Sequence, residues 1–335
     1  MKNISRLESS TAKPMLLAFM LAVTAVFLVG PRLLAQLSYT SGRPVWPAYE
    51  GWMQNEDGTQ DFLFGYMNEN WQEEIDVPVG PDNTIEPGGP DAGQPTHFLP
   101  RRNRFIFRVR VPKDFGQKEM IWTLNSHGNS AKAYASLKTD LLIENIDIMS
   151  ETGALGAGTS SPEVRADKPP VIKLEGATTR TAKVGEPVTL VALVTDDGVP
   201  KSRGRGVAGA QTGRGGAGAT ADPATILGLP RGTDPAFVPP TRVTVGKTVG
   251  LHLSWFVYRG DGKAVFDPPQ IKTWEDTRTG ANSPWAPLWR PPTLPADNRW
   301  TTTVTFNEPG TYVLRGRADD GALFTDSDVT INVAR

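Results

Sequence analysis

Cysteine is absent from all 335 residues. That excludes disulfides, thiolate metal sites and a lipid-modified cysteine. The chain must hold itself by packing alone, and its length suffices for two domains of ordinary size. Histidine is scarce: His97, His127 and His252 are the only three, and they lie far apart. Zinc ligands usually fall at short spacings, so a histidine metal centre is not expected. The motifs His-Glu-x-x-His and Gly-x-Ser-x-Gly are missing, as is the full Gly-x-x-x-x-Gly-Lys-Ser/Thr phosphate loop. Only a carboxylate-based enzyme is left open, because Asp and Glu occur throughout. Charge of one sign is lacking too. The 35 basic and 36 acidic residues leave a net charge of -1, with no long block of either sign. That points away from nucleic acid or an anionic membrane surface as partner.

A long apolar run occurs once. Lys2, Arg6 and Lys13 precede Met15 to Val29, and Gly30-Pro31 breaks the run. About 15 apolar residues suit a signal segment better than a membrane span, which needs about 20. Residues 1–35 read as a signal peptide, with Ala35 before Gln36 as the cleavage point. An uncleaved anchor is the alternative and would be the only membrane attachment. Either places the remainder outside the cytoplasm, in the periplasm, at the cell surface or beyond it.

The rest reads as all-β. Phe62, Phe64 and Tyr66 alternate on one strand face after the turn Asn55-Glu56-Asp57-Gly58. Residues 77–100 are rich in Pro, Gly, Asp and Asn and read as a long loop. Phe105 to Val111 alternates, with Phe105, Phe107, Val109 and Val111 inward and Ile106, Arg108 and Arg110 outward. Met120 to Leu124 and Ala131 to Leu137 supply further strands. Residues 44–139 thus predict a first β-sandwich, of typical size. Residues 140–168 read as a short helix over Asp140 to Ser150 followed by a Gly/Ser/Pro linker.

Residues 169–335 predict a second sandwich. Val188, Leu190, Ala192 and Val194 alternate up to Asp196-Asp197-Gly198. An insertion over about 199–245 follows. Its Gly/Ala/Arg run, Gly204 to Gly218, cannot bury a core and predicts disorder. Leu251 to Tyr258 resumes the pattern. Tyr312, Leu314 and Gly316 alternate with Val313, Arg315 and Arg317 after the turn Pro309-Gly310, and Asp319-Asp320-Gly321 leads to Val329, Ile331 and Val333.

Three features give this half a resemblance to Ig-like and PKD-like β-sandwiches. They are the stretch Val184 to Leu190, the lone Trp255, and Pro309-Gly310-Thr311-Tyr312. The resemblance implies that Trp255 is a core tryptophan and Tyr312 a corner tyrosine. It departs in lacking a cysteine pair and in the length of its insertion. It implies a fold rather than a function.

Three constellations carry possible chemistry. Asp196, Asp197, Asp319 and Asp320 sit in matching Asp-Asp-Gly turns. They read either as ordinary turn residues or as calcium ligands, since calcium takes six to eight oxygens from such segments. No other cofactor is implied. Trp274, Trp285, Trp289 and Trp300 crowd a Pro-rich excursion. They would form a platform for a sugar or a partner, or else fold over the sandwich as its own core. Glu86, Asp91 and His97 lie in the polar loop of the first domain, where an enzyme site would have to be. The leading expectation is an exported, non-enzymatic binding or structural protein of the cell envelope. Its partner would be an envelope protein or, through the tryptophans, a polysaccharide.

Overall fold

The computed structural model describes residues 41–151, 161–200, 250–270 and 292–335. The signal segment, nearly all of the insertion, and Trp274, Trp285 and Trp289 lie outside them. Residues 39–335 form one compact unit, built from two β-sandwiches.

The first sandwich has two three-stranded sheets. One pairs β1 (Val45–Gln54), β2 (Gln60–Asn68) and β6 (Arg101–Val111), in that order. The other pairs β4 (Asn83–Glu86), β7 (Met120–Ser126) and β8 (Asn129–Ala135). A short pair, β3 (Ile75–Asp76) and β5 (His97–Phe98), lies in the loop region between them in sequence. Alternation puts Phe62, Phe64 and Tyr66 inside, as expected. Aromatic edges and faces fill the core. Trp122 meets Phe107 edge-on at 5.0 Å and Phe64 at 5.9 Å, within the range of favourable aromatic pairs. The buried indole N–H of Trp122 donates to Asn83 Oδ1 at 2.9 Å, so the polar edge is satisfied.

Strand β6 departs from simple alternation. Its register with β2 shifts between Phe64 and Tyr66, and Phe105 takes a φ of 50°. The bulge brings Phe105, Ile106 and Phe107 all out of solvent, so Ile106 packs in the first core instead of facing outward. Phe105 turns the other way, into a third apolar cluster.

A single-turn 3-10 helix, Thr139–Leu141, precedes α1 (Asn145–Glu151), so the one helix expected over 140–150 is divided in two. A further short helix, α2 (Pro162–Arg165), is capped by the Ser161 hydroxyl.

Among the described residues, the second sandwich has eight strands: β9 (Val171–Leu174), β10 (Thr179–Lys183), β11 (Val188–Thr195), β12 (His252–Arg259), β13 (Ala264–Asp267), β14 (Arg299–Phe306), β15 (Gly310–Asp319) and β16 (Phe324–Ala334). One sheet runs β10-β16-β15-β12 and the other β13-β14-β11-β9. Of these eight strands, β10 and β16 pair in parallel and the other pairs are antiparallel. This order is that of an Ig-like sandwich. Trp255 is buried between the sheets and its ring lies against Gly316. The Tyr312 hydroxyl donates to the Glu308 carbonyl at 3.0 Å, four residues back, as a corner tyrosine does.

Candidate functional site

The alternation on β15 puts Tyr312 and Leu314 in the core and so turns Arg315 and Arg317 to the opposite face. That face would ordinarily meet water. Here it meets the first sandwich, and Arg317 has no exposed surface at all. Its guanidinium grips Asp326 on β16 through two bonds of 2.7 Å, lies 4.0 Å over the Phe324 ring, and donates to the Phe105 carbonyl at 3.2 Å. Arg315 repeats the arrangement one step along. It pairs with Asp328 at 2.7 and 2.8 Å, stacks 3.5 Å over Tyr258, and donates to the Ile106 carbonyl. Burial disfavours the Arg315 charge, but Asp328, Tyr258 and Asp326 outweigh it, and its pKa rises. The β6 bulge takes Phe105 and Ile106 out of the regular ladder, and the arginines use both their carbonyls.

The loop before β5 is held in the same way. Tyr258 donates its hydroxyl to the Gly93 carbonyl, and burial pushes its pKa up to about 12. Arg259 Nε donates to the Gln94 carbonyl at 2.8 Å, and its two terminal nitrogens clamp Asp91 at 2.8 and 3.0 Å. The Thr96 N–H donates to the Tyr258 carbonyl at 3.2 Å. Apolar packing closes the junction: Leu63 and Phe105 from the first sandwich meet Ile148 and Met149 of α1 and Ala322-Leu323-Phe324 of the second.

The acidic turns lie beside this junction. Each aspartate does ordinary turn chemistry with one oxygen. Asp196 Oδ2 accepts from Gly198 N–H at 2.9 Å, and Asp319 Oδ1 from Gly321 N–H at 2.7 Å. Asp320 Oδ1 accepts from the Ala322 and Leu323 N–H groups at 2.6 and 2.9 Å. Asp197 accepts from Val199 and, at 3.3 Å, from the Lys168 N–H. That last bond brings the end of the linker onto the first turn and adds a carboxylate the turn pattern did not reveal, Asp167. It is 5% exposed. Burial, then the charges of Asp197 and Asp196, push its pKa to about 7. Burial, with Asp167 and Asp319 nearby, pushes Asp320 to about 8. Burial raises Asp196 as well.

The aromatic platform loses one member. Trp300 is only 9% exposed and packs in the second core, because it faces inward on β14 where that strand pairs with β11. Trp274, Trp285 and Trp289 lie outside the described residues.

The polar residues of the first domain do not assemble into a site. Asp91 is clamped by Arg259. Glu86 lines an open hollow of about 500 Å³ with Thr84, Glu119 and Ile121, which includes neither Asp91 nor His97. His97 is buried, with Nδ1 2.7 Å from Asp76 and Nε2 3.4 Å from Glu74. Burial opposes its charge, but the two carboxylates prevail and hold its pKa at about 9. A histidine kept protonated between two acids is a clamp rather than a general base. Among the described residues, no helix is long and apolar enough to cross a membrane.

No protein-family model and no curated protein matches the chain. Solved structures do. A chimeric titin Z1Z2 carrying a decorin peptide is 11% identical over 86% of this chain and 97% of its own, at a TM-score of 0.21. Domains 4 and 5 of the S-layer protein SbsC are 10% identical over 89% and 100%, at 0.21. The D00–D0 domain of intimin is 10% identical over 86% and 99%, also at 0.21. The assignment itself rests on strand order, the buried Trp255 and the Tyr312 corner: the second half of the chain is an Ig-like β-sandwich.

Proposed function

We propose that this chain is an exported, non-enzymatic module of the cell envelope, a rigid two-sandwich body that holds or spaces a protein partner. The observation that carries the reading is the arginine-locked junction. Flexibly tethered sandwiches would leave Arg315 and Arg317 solvated. Here Arg317 is buried and Arg315 nearly so, each bonded to a backbone carbonyl of the neighbouring sandwich, which suits a part that transmits position or load. The basic and then apolar start of the chain supports export. The enzymatic alternative loses its basis in the first domain, since Asp91 and His97 are each committed to other partners.

The test has two arms. A fusion of the first 40 residues to a reporter active only outside the cytoplasm should give an active reporter. Full-length protein, immobilised and exposed to solubilised envelope fractions, should retain a protein that competing soluble glycans do not displace. An inactive reporter contradicts export. A saturable change in tryptophan fluorescence with one glycan, lost on Trp285→Ala plus Trp289→Ala, would replace the protein-partner reading with carbohydrate recognition.

A further inference from the structure

Four buried carboxylate oxygens at the junction have no hydrogen-bond partner: both oxygens of Asp167, Oδ1 of Asp196 and Oδ2 of Asp320. They come from three separate segments, which are the linker after α2, the turn after β11 and the turn after β15. Other contacts bring these segments together. Val164 of α2 packs against the apolar cluster that contains Ala322 and Leu323, the residues that follow Asp320 by two and three positions. The Lys168 N–H, next to Asp167, donates to Asp197 of the other turn. Asp167 and Asp320 are 5% and 1% exposed, so water does not solvate their charge. A buried carboxylate without donors is costly unless a counter-charge meets it, and the usual explanation of such orphaned acceptors is an ion or a bound water.

We propose that Asp167, Asp196 and Asp320 bind one calcium ion at the junction of the two sandwiches, with Asp197 adding charge beside it. Calcium fits better than magnesium. It accepts six to eight oxygens in adaptable geometry, including carbonyls from turns, whereas magnesium demands near-ideal octahedra. The turn bonds already made by the second oxygen of Asp196 and of Asp320 orient the first toward the ion. Asp319 is not among the ligands, since neither of its oxygens is among the buried ones that lack a partner. Among the described residues, no three acidic or histidine side chains surround one point in ligating geometry. Binding would thus require the three carboxylates to close in, and the ion would tie the linker to both turns.

Calorimetric titration of chelator-stripped, full-length protein with calcium chloride tests this, with magnesium chloride alongside and a thermal melt of each mixture. One saturable calcium site is expected, with a rise in Tm and a much weaker magnesium response. Asp167→Asn should weaken calcium binding at least about tenfold. Its side chain makes no hydrogen bond that folding needs, so circular dichroism should show the native fold. Asp196→Asn repeats the test from the first turn should one variant not fold. Absence of calcium heat and of any Tm shift in the wild type would overturn the proposal. So would wild-type affinity in a folded Asp167→Asn or Asp196→Asn variant; the carboxylates would then share protons instead of an ion.

Discussion

Arg317 of the second sandwich donates to the Phe105 carbonyl of the first at 3.2 Å through the same terminal nitrogen that, with Nε, holds Asp326 at 2.7 Å. One guanidinium thus satisfies a half-buried acid, a carbonyl freed by a bulge, and the face of Phe324. Only arginine has the planar fork for this. Arg317→Ala should cost about 1.5–3 kcal/mol, because it leaves the Phe105 carbonyl without this donor and Asp326 with only the more distant Arg315, at 3.9 Å. Arg317→Lys should recover part of that. Urea unfolding followed by circular dichroism measures both, and a loss under about 1 kcal/mol for the alanine variant would mean that the junction is not held this way.

His97 sets a pH dependence. Its folded pKa of about 9 lies above its ordinary value of 6.5. The stabilisation is therefore complete below about pH 6.5, falls as pH rises through 9, and is gone above it. A shift of that size corresponds to roughly 3 kcal/mol. His97→Gln should remove this fall, so the stability gap between wild type and variant should narrow between pH 6 and pH 9.5. A gap that stays constant with pH would show that the imidazole between Asp76 and Glu74 is not charged.

Trp255 and Gly316 form a tight pair in the second core. A Cβ at residue 316 would stand 2.9 Å from the indole. Gly316→Ala should cost about 1–3 kcal/mol by overpacking. Trp255→Ala should cost about 3–5 kcal/mol by leaving a cavity. In thermal melts both should lower Tm, and a neutral Gly316→Ala would mean that the ring can move aside.

Tyr312→Phe isolates the corner. It keeps the ring packed on Phe306 at 4.5 Å and removes only the bond to the Glu308 carbonyl. A loss of about 0.5–1.5 kcal/mol in denaturant unfolding is expected. A larger loss would mean that the hydroxyl also fixes the β14–β15 turn.

Strands were legible wherever one face is buried and the other wet. Tyr312 and Leu314 on β15, or Val188 to Val194 on β11, show a two-residue period because the core enforces it. Trp255 and Tyr312 were legible from resemblance. The junction was not. Arg315 and Arg317 look like the solvent face of an edge-to-edge pattern, and nothing local marks the β6 bulge that turns two carbonyls toward them. Asp167 was hidden for the same reason: its partners are brought by the linker's path, at distances that no motif spans. Trp300 misled because it adjoins a Pro-rich excursion in sequence while its own strand faces inward.

Through Arg315 and Arg317 the two sandwiches should move as one body. The chain has no cysteine, so spin labels can be placed cleanly at Lys132→Cys on β8 and Lys173→Cys on β9, both exposed. Double electron–electron resonance on this doubly labelled protein should give one narrow distance distribution, which broadens when Arg315→Ala and Arg317→Ala are added. A broad or multimodal distribution in the otherwise native chain would contradict the claim.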